Sequence, residues 1–344
     1  MTDTTETRTR LEEFFRRRHP EQSQVRVTRY EPITGGYSRL MARVWVEDDS
    51  GSRGYIVRSD PPPGVSILDT DRAAEWAILS SLHRSGKIPM PAPLWFDEKG
   101  EELGSPSIVI EMVEGESLVS MSRGRDESEY PGFGLRLAET AATIPTCGLE
   151  HLPPGIDVPE SWDDYIDARI QYWVDAERAN VDRDPFMRLI ASYLRAHRPP
   201  PLPLSLVHGD FQIANVLVQP DDTYLVVDWE LAHVGDPRED LGWCSLASVT
   251  QPPDLIAPDE DAFYGRYRER TGFSEEQVNP ATTDYFLLLA SSTVFVSVIE
   301  QMSRLTKGEE AGMTLTYMSN AVAGMHDVFM RTLKRHAART GAES

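Results

Sequence analysis

The chain has 344 residues, 40% of them hydrophobic and 26% charged; this fits a folded protein of about two domains and is too apolar for a disordered one. Thirty-four Lys and Arg stand against 55 Asp and Glu, a formal charge of −21. That balance argues against a general nucleic-acid binder, whose affinity comes from a basic surface, yet it allows a nucleotide held in a local pocket with a divalent cation.

The stretch up to Phe15 is polar and has no apolar core, so no secretory signal is expected. Val25–Ile33, Met41–Glu47 and Gly54–Ser59 carry the β-branched and aromatic residues of short strands, broken by turn residues at Thr34-Gly35-Gly36 and Asp48-Asp49-Ser50-Gly51. A helix is predicted over about Asp71–Ser85, then a proline-rich connection from Ile88 to Pro93 and a strand at Ser107–Val113. Beyond Gly115 the pattern is mostly helical. Trp162, Tyr165, Ile166, Ile170, Trp173 and Val174 recur at helical spacing and predict a core-facing stripe. Four prolines between Arg198 and Leu204 stop the helical run and deliver the chain into a β-like island at about Leu206–Trp229. Tyr285–Ile299, bounded by Asp284 and Glu300, is shorter than the ~20 residues of a membrane span and predicts a buried helix. Cys147 and Cys244 cannot build a disulfide framework or a zinc cluster, so a cytoplasmic protein is expected.

The island carries the chemistry. Val216–Val218 and Tyr224–Val227 flank Pro220-Asp221-Asp222-Thr223 as a hairpin. A turn centred on Asp221-Asp222 sets Asn215 opposite Asp228, ~5 Å apart at Cβ. An amide oxygen and a carboxylate brought together suit Mg²⁺, which takes hard oxygen ligands beside waters and phosphates. Asp210 lies on the loop entering the same ribbon, placed to receive a hydroxyl proton; phosphoryl transfer needs this kind of positioning and charge neutralisation. The competing reading is a surface hairpin with solvated Asp and Asn, against which the apolar runs on both strands count.

His208-Gly209-Asp210, then Asn215 and Asp228, resemble the core of the aminoglycoside phosphotransferase and choline kinase family, small-molecule relatives of protein kinases. The resemblance implies an α+β, bilobal protein-kinase-like fold. Residues 1–112 would form a small antiparallel β-lobe binding nucleotide, and residues 113–344 a larger, mainly helical catalytic and substrate lobe, with a cleft between. It also implies ATP and Mg²⁺ as cofactors, Asp210 as base, Asn215 and Asp228 as metal ligands, and His208 as support of the catalytic loop. Gly35, Gly36, Tyr37 and Ser38 resemble the family's phosphate-covering loop. Arg58 stands where the family usually has lysine, and Glu75 shares a helical face with Ile78, Leu79 and Leu82. An inward carboxylate needs a cation, and Arg58 is its expected partner; a surface Glu is the alternative. Glu111, Met112 and Val113 resemble the hinge whose backbone binds adenine.

Leu231–Trp243 and Trp162–Val174 resemble the branch of the family fused to acyl-CoA dehydrogenases. Asp240 is expected to brace the catalytic loop, to cap a helix, or both. The implied activity is transfer of the ATP γ-phosphate to a hydroxyl of a small molecule, either aminoglycoside-like or a hydroxylated metabolite or acyl group, with no nucleic-acid or membrane partner. Two alternatives stand beside it. One is a nucleotide-binding regulatory module, suggested by Arg58. The other is a metal-dependent phosphoester hydrolase using His208, Asp210, Asp228 and His233. The acceptor and the oligomeric state are not legible in the sequence.

Overall fold

The computed structural model describes residues 4–22, 24–33, 40–61, 71–179, 185–250, 252–291, 295–296 and 313–341. The chain divides into two compact units, Met1–Gly115 with Gln219–Thr223, and Glu116–Val218 with Tyr224–Ser344.

The first unit is an antiparallel sheet in the order β1-β2-β3-β5-β4, formed by β1 (Arg26–Ile33), β2 (Leu40–Asp48), β3 (Gly51–Ser59), β4 (Pro93–Asp97) and β5 (Ser107–Glu111). Alternation puts Val27, Ala42, Val44, Val46, Tyr55 and Val57 into one core. The far side of that core is a helix the sequence reading did not foresee, α1 (Thr4–Arg18). Its Leu11, Phe14 and Phe15 are buried there, and both rings meet Trp95 edge-on. Helix α2 (Arg72–Ser85) starts where Asp71 accepts the Ala73 and Ala74 N–H groups and stops at Gly86, whose φ of 62° closes the last turn.

In the second unit, α3 (Leu118–Ser122) and α4 (Tyr130–Thr143) precede α5 (Trp162–Ala179) and α6 (Pro185–Ala196). The predicted stripe of α5 is buried through Tyr165, Ile166, Ile170 and Trp173. It packs with α6, with α9 (Pro280–Ala290) and with the C-terminal helix α10 (Met313–Thr340). The expected helix near Tyr285 is described as far as Ala290; most of 292–299 lies outside the described residues. Strand β6 (Glu116–Ser117) pairs with the hairpin β8 (Val216–Val218) and β9 (Tyr224–Val226), while β7 (Ser205–Val207) pairs with β10 (His233–Gly235). Helices α7 (Arg238–Thr250) and α8 (Glu260–Thr271) complete the unit. At the start of α7 a fully buried Arg238 binds Asp236 at 2.6 Å and also donates to the Pro200 and Gln277 carbonyls. Among the described residues no helix is long and apolar enough to cross a membrane.

Candidate active site

Strand β7 ends at His208-Gly209-Asp210. Gly209 has a φ of 82°, and a Cβ there would meet the Leu231 carbonyl oxygen at 2.4 Å, so only glycine fits. The His208 and Gly209 N–H groups donate to the two oxygens of Asp240 at 2.9 and 3.0 Å. Asp240 lies buried in the first turn of α7; burial pushes its pKa up to about 7 and the two N–H donors oppose the rise. Capping of α7 falls instead to Asp236, which accepts the Arg238 N–H through Oδ1 and the Glu239 N–H through its carbonyl. The His208 ring accepts the Asp210 N–H at Nδ1, 3.2 Å away. Its proton therefore sits on Nε2, which donates to the Val227 carbonyl at 3.0 Å and ties the loop to the residue before Asp228.

Asp210 is held on both oxygens. Gln212 Nε2 at 2.6 Å and the Trp243 indole N–H donate to Oδ1, and Asn215 Nδ2 donates to Oδ2 at 2.7 Å. Burial, with the charge of Asp228 behind it, raises the Asp210 pKa to about 7 against these donors.

The hairpin register differs from the sequence expectation by one residue. Val216 pairs with Val226 and Val218 with Tyr224, and Gln219 closes on Thr223 through an N–H···O bond of 2.9 Å. The turn centres on Asp221 because Asp222 takes a left-handed φ of 65°. Asn215 therefore faces Val227, whose N–H it accepts at 3.0 Å, and is not directly opposite Asp228. Asp228 leaves the ribbon with a φ of 70°, a conformation that costs energy outside glycine and recurs at functional sites. With Asn215 Nδ2 turned to Asp210, its amide oxygen is the end left for a cation. Two hard oxygen donors, and a neighbouring carboxylate whose pKa the Asp228 charge raises, fit a divalent cation such as Mg²⁺.

In the first unit Arg58, next to the C-terminal end of β3, reaches Glu75 at 2.7 Å, and both are buried. Sequence reasoning missed a second cation: Arg72 binds the other Glu75 oxygen at 2.6 Å and Asp60 at 2.6 Å. Its spacing of three from Glu75 on a helix was the available signal. At the expected hinge the strand stops at Glu111, short of Val113. The Glu111 and Met112 N–H groups donate to Ala92 and Gly54 at 2.9 and 3.2 Å. Gly35, Gly36, Tyr37 and Ser38 lie outside the described residues.

Gln212 and Trp243 were also missed. Trp243 follows Asp240 by three residues on α7, so one helical face carries both the brace and an Asp210 donor. Gly209 and Trp243 line a cavity of about 210 Å³ in the second unit. For a hydrolase, no three His, Cys, Asp or Glu side chains among the described residues come together to hold a metal. His208 and His233 spend both ring nitrogens on protein partners.

Residues 29–277 match the phosphotransferase enzyme family. The chain is 27% identical over 201 residues to acyl-CoA dehydrogenase family member 11 of Rattus norvegicus, covering 57% of this chain and 25% of that protein. It is 28% identical over 195 residues to family member 10 of Mus musculus, covering 54% and 18%. It thus spans a quarter or less of these relatives. Among solved structures, a thermostable mutant of aminoglycoside phosphotransferase APH(4)-Ia in a ternary complex with ADP and hygromycin B superposes with a TM-score of 0.61 at 18% identity, over 97% of this chain and 99% of that one. Choline kinase LicA of Streptococcus pneumoniae gives 0.60 at 16%, over 94% and 99%. The fold is the α+β, kinase-like one, and with the family match extending over most of its length, the chain belongs to the phosphotransferase enzyme family.

Proposed function

We propose that the chain is an ATP- and Mg²⁺-dependent kinase that phosphorylates a hydroxyl group of a small molecule. The observation that carries this reading is Asp210: a carboxylate fixed by three side-chain N–H donors, with its pKa raised to about 7, is a base poised at neutral pH. In this reading the acceptor oxygen forms a bond to the γ-phosphorus, the bond from that phosphorus to the bridging oxygen of ADP breaks, and the hydroxyl proton passes to Asp210. Asp240 and His208 keep the Asp210 backbone in place, and Asn215 Oδ1 and Asp228 hold the cation, which when bound neutralises phosphate charge.

The first unit serves the nucleotide. Arg58, oriented by Glu75, serves the phosphates. At the hinge the Val113 N–H and the Glu111–Val113 carbonyls are the groups for adenine, since the Glu111 and Met112 N–H groups are committed. The complex of APH(4)-Ia with ADP and hygromycin B supports a nucleotide and a hydroxylated acceptor bound together. A regulatory nucleotide-binding module is the second reading, favoured by the Arg58 guanidinium, a rigid fork tied to Glu75 in place of a mobile lysine.

Release of ADP from Mg²⁺-ATP, followed across aminoglycosides, aminoalcohols, sugars and hydroxyacyl thioesters, separates the two. Acceptor-dependent ADP release supports the kinase. A thermal shift with Mg²⁺-ATP and no ADP release from any acceptor class supports the regulatory module.

A further inference from the structure

Trp243 has two roles at once. Its indole N–H donates to Asp210, and its ring forms part of the wall of the 210 Å³ cavity, next to Gly209. A molecule filling that space would lie against the same ring that orients the base. At ~30 Å³ per water the space is equivalent to roughly seven waters, the bulk of one substituted six-membered ring.

The remaining wall determines what chemistry can enter. Leu231 and Ala290 are apolar, and the polar side consists of Arg169, His233 and Glu239. Glu239 is the carboxylate on that wall, and both its oxygens are taken. Oε1 accepts the Tyr165 hydroxyl, and Oε2 accepts Arg169 Nη2 at 3.2 Å. Burial and the neighbouring Asp240 push the Glu239 pKa well up, weakening its charge further. Burial lowers Arg169 to about 10, which leaves it cationic at neutral pH, and lowers His233 to about 4, which leaves it neutral. An ammonium group entering here would give up its hydration, face a guanidinium and find no uncommitted anion.

We propose that this cavity seats the non-reacting body of the acceptor alcohol and selects a compact, largely apolar group that carries no ammonium. The proposal rests on the kinase reading above, and it disfavours the cationic branch of the acceptors considered there.

Binding of benzyl alcohol and of 4-(aminomethyl)benzyl alcohol to the full chain, followed by saturation-transfer NMR without nucleotide, tests it. Benzyl alcohol is expected to bind about tenfold more tightly than its ammonium analogue, and Ala290→Leu to weaken it about fivefold by filling the cavity. Arg169→Gln removes the guanidinium that an ammonium would face and is expected to bring the two probes within about threefold of each other. Should Ala290→Leu fail to fold, Ala290→Val gives the same change in smaller measure. The proposal is overturned if the ammonium probe binds equally well or better, if neither probe binds at millimolar concentration, or if a folded Ala290 variant leaves benzyl alcohol unaffected. Nucleotide binding and ADP release do not enter this measurement, so failure of the kinase reading shows separately.

Discussion

One oxygen of Asp240 accepts the His208 N–H at 2.9 Å, and the other accepts that of Gly209 at 3.0 Å. This joins the first turn of α7 to the loop that presents Asp210. Asp240→Asn would turn an amide NH₂ toward one of these N–H groups. It is expected to cost about 1–3 kcal/mol of stability. Acceptor turnover should fall while Mg²⁺-ATP binding persists; urea denaturation and ADP release read the two effects.

Gly209 tests the same loop from the other side. A Cβ at this φ of 82° meets the Leu231 carbonyl at 2.4 Å. Gly209→Ala is expected to destabilise by about 1–3 kcal/mol through backbone strain alone and to abolish turnover, because the loop must move to relieve the clash. Circular-dichroism melting beside the activity assay separates the two losses.

Glu75 sits between two guanidinium groups, Arg58 at 2.7 Å and Arg72 at 2.6 Å. Removing one partner of a buried pair costs about 3–5 kcal/mol when nothing replaces it, so Arg58→Met should fall near the lower end because Arg72 remains. The variant should also raise the KM for ATP. Arg72→Met should lower the melting temperature similarly with a smaller effect on that KM.

Much of this site was legible because it is local. His208-Gly209-Asp210 and the downstream Asn215 and Asp228 lie within one short β-island whose apolar strands mark it as buried. The register slipped by one residue because nothing in the turn composition announces that Asp222, rather than a glycine, takes the left-handed conformation. Trp243 went unnoticed as an Asp210 donor because a tryptophan on a helix suggests core packing, and its partner is thirty-three residues away. Helix α1 was missed for a related reason. Its charged surface dominates the pattern, and Leu11, Phe14 and Phe15 gain their meaning only from strands that come later in the chain.

The pH dependence follows from two carboxylates. Asp210 and Asp240 are both raised to about 7, from a usual value of about 4. The folded chain therefore binds more protons than the unfolded chain across this window, and the stability these groups contribute is lost as pH rises from about 4 through 7. Melting temperature is expected to fall over that range, with a shallower slope in Asp210→Asn. Turnover should move in the opposite direction: kcat/KM should rise as Asp210 ionises and level off above about pH 7.

The most direct measurement is transfer by Asp210→Asn with an acceptor that the parent chain phosphorylates, alongside its affinity for Mg²⁺-ATP. Loss of a positioned base predicts a fall in kcat of about 10²–10⁴-fold with nucleotide affinity within a few-fold of the parent. Turnover retained at near-parental rate would show that the proton goes elsewhere, and would contradict the account.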